Sequence, residues 1–199
     1  MKKTIYLLVL LGLNNMGMAQ VSIGVDVFNR YVWRGTDFGN SATVQPSIEY
    51  AIGGFTVGAW SAWSPSGAAG GNENDLYVGT NLGPVDLTLT DYFFPEYQGT
   101  DSLFNMDKHI FELSAGFEVS GLSSVVAMNL SGDDDNSLYL ELTYGMLTLG
   151  AGNGAYTVKD DPDFNIVNIG ITASRDIYSA SFIINPEQET SFLVFGFSL

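Results

Sequence analysis

Acidic side chains occupy the polar positions of several segments in which apolar and polar residues alternate. The acidic residues are Asp26, Glu49, Asp86, Glu112, Glu118 and Glu141, and Asp75 also occupies such a polar position. One arginine, Arg30, lies at a polar position as well. Because alternate residues of a β-strand face opposite sides of a sheet, all of these side chains are predicted to face one side. If that side encloses water, seven carboxylates against one guanidinium create a negative field that favours cations. We therefore expect these residues to line a cation-preferring lumen.

Further acidic residues are concentrated in the predicted loops, where their oxygen atoms could hold Ca²⁺. The candidates are Asp133, Asp134, Asp135, Asp160, Asp161 and Asp163. Asp161, Asp163 and Asn165 have the spacing that opens an EF-hand loop. Ile166 stands where that loop needs glycine, and Thr172 where it needs glutamate. A solvated acidic surface is therefore favoured over a metal site, and divalent ions could link such a surface to lipopolysaccharide.

The single histidine, His109, is near Asp107 and Ser114 in the sequence. These three residue types could form the triad of a serine hydrolase, although a triad is defined by geometry and serines are common in this chain. At the start of a predicted strand, His109 is better explained as a residue at a membrane interface. We expect no enzyme activity and no cofactor, with a barrel hydrolase centred on His109 as an alternative.

Arg34 and Gly35 directly follow the first predicted strand and its aromatic residues. Arg34 could bind a lipid phosphate beside an aromatic belt, or it could hold the first loop inside the barrel, and the sequence leaves both interpretations open. The longest predicted loop, residues 94–108, also carries aromatic residues. These favour a loop that packs into the lumen as a constriction.

The elements that must position these residues are twelve predicted strands. Their ranges are 21–33, 42–52, 55–64, 75–82, 85–93, 109–119, 122–131, 137–144, 147–154, 165–174, 177–185 and 190–199. Apolar and polar residues alternate along them, as Leu138, Leu140 and Leu142 do with their neighbours. Pro46 lies inside the second strand, where it removes a ladder hydrogen bond and predicts a bulge or a break in pairing.

Tight turns and longer loops alternate between the predicted strands. The turns are at 53–54, 83–84, 120–121, 145–146 and 175–176, and the loops are at 34–41, 65–74, 94–108, 132–136, 155–164 and 186–189. Outer-membrane barrels have an even number of antiparallel strands, with short turns in the periplasm and long loops outside the cell. The sequence therefore predicts a barrel in the outer membrane of a Gram-negative cell, with both termini in the periplasm.

The first nineteen residues have the pattern of a secretory signal peptide. Lys2 and Lys3 precede an apolar run at 5–13 and a small-x-small cleavage motif, and the run is too short to cross a bilayer. We expect residues 1–19 to be removed and residues 20–199 to form one domain. Loss of the two lysines leaves five of the seven basic residues against 22 acidic ones, which argues against a nucleic-acid partner. The chain has no cysteine, which excludes disulfide bonds and thiolate metal sites.

Several motifs carry a family resemblance. They are YVWRG at 31–35, QPSIEY at 45–50, GAWS at 58–61, DLYVG at 75–79 and YFFP at 92–95. Together they resemble the TorF family of porins, also called Gcw_chp, over most of the chain beyond the signal peptide. The resemblance implies an outer-membrane barrel and a passive pore, and it brings no catalytic residues.

The sequence thus predicts an all-β, up-and-down antiparallel transmembrane barrel that acts as a passive channel for ions or small solutes, surrounded by lipid and lipopolysaccharide. The first alternative is a non-conducting structural or surface-interaction barrel that presents acidic loops. Its evidence is a set of aromatic residues assigned to the inward phase: Phe28, Trp60, Tyr77, Tyr92, Tyr139, Tyr178 and Phe182. A secreted soluble barrel that carries an apolar ligand is a further alternative, and the oligomeric state is left open.

Overall fold

The structure, a computed structural model, describes residues 20–67, 70–95, 103–133, 136–158 and 160–199. The expected signal peptide, residues 1–19, lies outside the described residues. Within these ranges the chain is dominated by β-strands. No helix in the described part of the chain is long and apolar enough to cross a membrane.

Twelve strands form a closed barrel, and each pairs with its neighbours in antiparallel orientation. The strands of this wall are β1 (Gln20–Phe28), β4 (Thr43–Ile52), β5 (Phe55–Ala62), β6 (Glu73–Leu82), β7 (Val85–Phe93), β8 (His109–Val119), β9 (Leu122–Ser131), β10 (Leu138–Tyr144), β11 (Leu147–Gly154), β12 (Asp161–Arg175), β13 (Tyr178–Asn185) and β14 (Thr190–Ser198). They follow one another in chain order, and β1 closes the wall against both β4 and β14. The predicted twelve-stranded, up-and-down barrel is confirmed.

Strand β10 shows how the alternating sequence produces the wall. Leu138, Leu140 and Leu142 point outward and are 36%, 43% and 47% exposed, whereas Tyr139 between them points inward and is 1% exposed. The same period of two residues runs along the other strands because successive side chains of a strand point to opposite faces. The barrel consequently has an apolar outer surface and an interior with many polar groups.

Residues with positive φ close the tight turns, because turns of type I′ twist in the same sense as the strands that they join. Gly53 and Gly54 have φ angles of 56° and 83°, and Ser120 and Gly121 have angles of 54° and 79°. We refer to the end of the barrel that carries these turns as the turn side, and to the opposite end as the loop side.

The turn before β13 differs from the prediction by one residue. It comprises residues 176–177, and Arg175 pairs with Tyr178 across it. This displacement moves both ends of the turn together, so it does not change which faces of β12 and β13 are paired. Ser179 and Ser181 line the interior, whereas Tyr178 and Phe182 lie outside the barrel, 61% and 47% exposed, and the prediction that they fill the lumen is wrong.

Pro46 interrupts strand pairing without a bulge. On one side β4 pairs continuously with β1, and Pro46 lies opposite Val25. On the other side the ladder with β5 stops beside Pro46 and continues as a single bridge between Val44 and Trp63. Val25 exchanges its backbone hydrogen bonds with Leu199, so the nitrogen of Pro46 faces the interrupted ladder, where no N–H is needed. The predicted break in pairing is confirmed.

Residues 29–42 leave the wall between β1 and β4 and enter the barrel. They form the inner hairpin, in which β2 (Tyr31–Trp33) pairs with β3 (Thr36–Phe38). The first predicted strand therefore ends at Phe28, five residues earlier than expected, and the first predicted loop lies in the lumen.

The longest predicted loop is described only at its two ends, residues 94–95 and 103–108, so the prediction that it packs into the lumen falls largely on residues outside the described ones. Leu103–Lys108 is exposed and includes a 3₁₀ turn at Met106–Lys108. Phe94, at the start of the loop, stacks on Phe38 of the inner hairpin with ring centroids 6.2 Å apart. Among the described residues, the first loop narrows the lumen, and Phe94 packs against it.

Candidate functional site

The tip of the inner hairpin is a two-residue turn at Arg34 and Gly35. Their φ angles, 50° and 82°, are both positive, as a type I′ turn requires. A Cβ atom on Gly35 would lie 1.9 Å from the carbonyl oxygen of Val167, so only glycine allows the tip to approach the wall this closely. Val167 is the extra residue of a β-bulge in β12, and its side chain is fully buried.

Arg34 fastens the hairpin tip to the barrel wall. Its guanidinium forms a two-point ion pair with the carboxylate of Glu112 on β8, in which the Nη2 to Oε1 distance is 3.0 Å. Tyr156 and Tyr92 donate their hydroxyl protons to the same carboxylate at 3.0 and 3.1 Å. The side chains of Arg34 and Glu112 are 10% and 2% exposed, so this polar cluster is closed to bulk water.

Aromatic rings surround the Arg34 guanidinium. Its central carbon lies 4.2 Å from the ring centroid of Trp33, 4.4 Å from that of Tyr139 and 5.2 Å from that of Tyr156. Burial alone disfavours the charge, but the hydrogen bond with Glu112 and the attraction of nearby acidic groups outweigh it and raise the pKa of Arg34 above its ordinary value. Arg34 therefore remains a cation within the barrel.

Further contacts hold the hairpin along its length. The Asn185 amide donates to the carbonyl oxygen of Gly35 at 3.2 Å, and the Gln188 amide donates to the hydroxyl of Thr36 at 3.0 Å. Arg30, at the base, forms an ion pair with Asp37 of the same hairpin. The inner hairpin thus crosses the loop half of the lumen and is fastened to the wall on opposite sides.

Between the inner hairpin and the turn side, the lumen contains a cavity of about 710 Å³, which we name the turn-side chamber. Aromatic residues line one part of it and hydroxyl groups another. The aromatic residues are Phe28, Tyr31, Trp33, Trp60, Tyr77 and Tyr92, and the hydroxyl residues besides the tyrosines are Thr90, Thr172, Ser174, Ser179, Ser181 and Ser198. Arg30, Gln45 and Asp75 also line the chamber.

A buried carboxyl pair, Glu73 and Asp75, lies on β6 beside the chamber. The two side chains are 2% and 6% exposed and belong to alternate residues of the strand, so they share its inward face. The Tyr31 hydroxyl of the inner hairpin donates to Glu73 at 2.7 Å. Sequence analysis placed Glu73 in a loop because the predicted strand began at residue 75. Extending the alternation backward by one period was the signal that could have found it.

Most of the predicted lining residues face the interior, in different surroundings. Glu49 accepts a hydrogen bond from Tyr77 at 3.1 Å, and Glu141 accepts one from Tyr139 at 2.6 Å. Asp26 pairs across the sheet with Gln45, which lines the chamber. Two more, Asp86 and Glu118, are exposed near the tight turns, at the turn-side mouth of the barrel.

Two predicted lining residues have positions that the sequence did not indicate. Glu112 faces inward but is buried against Arg34, so it fastens the hairpin and does not border open space. Arg30 lines the chamber from the inner hairpin instead of from a wall strand, and its acidic partner is Asp37. For Arg34 the structure selects one of the two interpretations left open, since its side chain holds the first loop inside the barrel.

The acidic loops do not assemble a metal site in the described ranges, where no group of three or more acidic or histidine side chains is arranged to hold an ion. Asp133 accepts hydrogen bonds from Asn129 and from the Ser137 backbone, at 2.7 and 3.1 Å, and so braces its own loop. Asp161 accepts one from the Asp163 backbone, and Asp160 is exposed. The two remaining candidates, Asp134 and Asp135, lie outside the described residues.

His109 lies at the loop-side end of the outer wall and is 4% exposed. Its Nδ1 atom is 2.7 Å from Oδ1 of Asp91, and its Nε2 atom is 3.0 Å from the carbonyl oxygen of Leu103. Both ring nitrogens are thus occupied by groups other than Asp107 and Ser114, the partners considered for a hydrolase. The pairing also explains how Asp91 is accommodated on the outward face of β7, since His109 and Leu103 cover that part of the wall.

Comparison with known proteins agrees with the family resemblance. The chain matches the Gcw_chp family model over residues 14–178, and that family is described as a bacterial protein of unknown function. Neither a curated protein nor a solved structure matches the chain. The match spans the wall from before β1 to the start of β13. Its description includes neither the TorF name nor a porin activity.

Proposed function

This chain belongs to the Gcw_chp family, and we propose that it is an outer-membrane barrel that acts as a passive, cation-preferring channel closed at rest by the inner hairpin. The observation that carries the proposal is the inner hairpin itself, a segment fastened across a lumen that otherwise contains a cavity of about 710 Å³. The proposal includes no catalytic step and no cofactor.

The outer surface of the wall supports a membrane location. Ile23, Leu76, Leu193 and Phe195 are 79%, 62%, 64% and 60% exposed, and they belong to a much larger outward-facing apolar surface. In water such a surface would promote association, whereas in a bilayer it contacts lipid tails. The closed ladder pairs the backbone groups that lipid could not satisfy.

Orientation follows from the connections, as expected for barrels of this class. The long loops are proposed to face the cell exterior, and the tight turns and both termini the periplasm. Because the chain has no cysteine, single-cysteine variants can report this directly. A membrane-impermeant maleimide should label Asp163→Cys in intact cells and should label Gly54→Cys only after the outer membrane is opened. Labelling of Gly54→Cys alone in intact cells would show the opposite orientation.

Conduction is supported by the nature of the closure. The lumen is closed by the inner hairpin, which a small set of polar contacts holds to the wall. Release of these contacts would open the lumen without disrupting the strand pairing of the wall. The carboxylates that face the interior give the pathway a negative field that favours cations. Conductance of the purified, folded protein should be measured in a planar bilayer, with a salt gradient to obtain the reversal potential.

Comparison of three proteins makes this measurement decisive. The wild type should conduct rarely, and Arg34→Ala should open more often, with cation preference. The matched control is Arg175→Ala, because Arg175 is 94% exposed at the turn side and its removal should leave conductance unchanged. A folded Arg34→Ala barrel that never conducts would overturn the channel proposal.

A non-conducting barrel is the second candidate function. It is favoured by the burial of the Arg34–Glu112 ion pair, which closes the loop half of the lumen firmly. In that case the acidic loops would be the functional surface and would contact lipopolysaccharide or partner proteins. Silence of the folded Arg34→Ala variant in the bilayer experiment is the result that this candidate expects.

A further inference from the structure

We propose that the turn-side chamber is a binding site for a small organic ammonium ion, held by Asp75 and by the aromatic rings around it. The inference goes beyond the channel proposal, because the chamber can bind such an ion whether or not the barrel conducts. It rests on charge, on one unsatisfied buried oxygen atom and on the shape and lining of the cavity.

The charges around the chamber leave the carboxyl pair without a cation. Both arginines of the inner hairpin have acidic partners, since Arg30 pairs with Asp37 and Arg34 with Glu112. In the described part of the chain, no ion pair involves Glu73 or Asp75. Two buried carboxyl groups at alternate residues of one strand disfavour each other's charged form, and a cation bound beside them would stabilise that form.

One oxygen atom of this pair is unsatisfied. Asp75 Oδ1 is buried and has no hydrogen-bond partner among the described residues, although the side chain is only 6% exposed. Buried polar atoms almost always have a partner, because leaving one without it is costly. Asp75 lines the chamber, so the N–H of an ammonium ion bound there could supply the missing donor.

The aromatic lining selects an organic cation over a hydrated metal ion. The Trp60 ring lies 5.5 Å from that of Tyr31, and the Trp33 ring lies 5.5 Å from that of Tyr92, measured between centroids. The faces of such rings attract cations, and groups of rings form the sites that recognise alkylated ammonium ions. Carbon atoms of the ligand would contact the rings while its nitrogen approaches Asp75. A volume of about 710 Å³ is within the usual range of small-molecule sites.

The test is equilibrium binding to the folded full chain in detergent. The probe is n-butylammonium, and 1-butanol is its neutral counterpart. Binding can be followed by calorimetry and by tryptophan fluorescence, since two of the three tryptophans line the chamber. We expect saturable binding of n-butylammonium at least tenfold tighter than that of 1-butanol. Equal affinities, or the absence of saturable n-butylammonium binding, would overturn the proposal.

Variants connect binding to the proposed residues. Asp75→Asn keeps the shape of the side chain and should weaken n-butylammonium binding about tenfold, because a charge-assisted hydrogen bond is lost. Asp176→Asn makes the same substitution at a turn residue that is 81% exposed and outside the chamber lining, and its affinity should equal that of the wild type. Unchanged affinity in folded Asp75→Asn would contradict the assignment.

A second variant keeps the proposal testable if Asp75→Asn does not fold. Trp60→Leu retains an apolar side chain but removes a ring face, and should weaken n-butylammonium binding about fivefold. If this folded variant binds as tightly as the wild type, the aromatic site is excluded. Binding is measured separately from conduction, so the two proposals can fail independently. A barrel that binds n-butylammonium but does not conduct would contradict only the channel proposal, and a barrel that conducts but does not bind it would contradict only the chamber proposal.

Discussion

Arg34 at the tip of the inner hairpin and Glu112 in the barrel wall form an ion pair that joins positions 78 residues apart in the chain. The two side chains are 10% and 2% exposed. Both are therefore largely removed from water, and each depends on the other to compensate its charge. The ion pair is the charged contact among those that hold the hairpin across the lumen.

Arg34→Ala should lower the free energy of unfolding by about 3 kcal/mol, because it leaves the Glu112 charge buried without its partner. Unfolding by urea in lipid vesicles measures the change. Arg34→Ala combined with Glu112→Ala should be less destabilised than the sum of the two single variants, since the double variant retains no buried charge. Strict additivity would show that the ion pair contributes no coupling.

Gly35→Ala should destabilise the barrel more than Gly54→Ala does. The two glycines have nearly equal φ angles, 82° and 83°, so the backbone strain of alanine is matched at about 1–2 kcal/mol. A Cβ atom at Gly35 would clash with the backbone of Val167, whereas one at Gly54 has no neighbour within 4 Å among the described residues. The difference between their unfolding free energies measures the close approach of the hairpin tip. Equal values would mean that the tip does not rest on β12.

Glu49→Gln combined with Glu141→Gln should reduce the preference for cations without unfolding the barrel. Both carboxylates face the interior and accept hydrogen bonds from tyrosines that glutamine oxygens can also accept. The change should appear as a smaller reversal potential in a salt gradient, measured in the Arg34→Ala background, where openings are frequent. Asp163→Asn, at an exposed position near the loop-side start of β12, is the control. An unchanged reversal potential in the double variant would reject the lining assignment.

His109 and Asp91 should be energetically coupled on the outer wall. His109→Ala leaves the Asp91 carboxylate without its hydrogen-bond partner, and we expect a loss of about 2 kcal/mol of stability. Asp91→Asn should suppress most of this cost, so a double-mutant cycle should show a coupling of about 1 kcal/mol or more. A coupling near zero would indicate that solvent or lipid headgroups satisfy Asp91 equally well.

The wall of this barrel could be predicted from the sequence because its signal is local. Each strand repeats with a period of two, and the tight turns between strands contain residues with positive φ, as at Gly53 and Gly54. Even the effect of Pro46 followed from the loss of one N–H group. The inward phase of Glu49 and Glu141 was predictable for the same reason, since a charged side chain avoids the apolar face.

Other features of the wall needed the tertiary structure because alternation alone does not say which phase of a strand faces inward or where the strand begins. Pairing with β12 and β14 places Ser179 and Ser181 of β13 in the interior and Phe182 on the outer surface, the reverse of the predicted phase. A start of β6 two residues earlier added Glu73 to the interior and created the carboxyl pair with Asp75. Turn chemistry and periodicity are compatible with more than one choice of inward face or first residue for a strand, so pairing with the neighbouring strands decides between these choices.

The alternating sequence by itself determined a twelve-stranded barrel with an acidic interior, because strand periodicity and the cost of exposing charge to an apolar surface act residue by residue. Tertiary structure alone decided that the first loop enters the lumen. That outcome depends on Glu112 and Tyr156, which are distant from Arg34 in the chain and become its partners only when the wall closes. Closure also brings Val167 against Gly35, and no local pattern in the sequence records that contact.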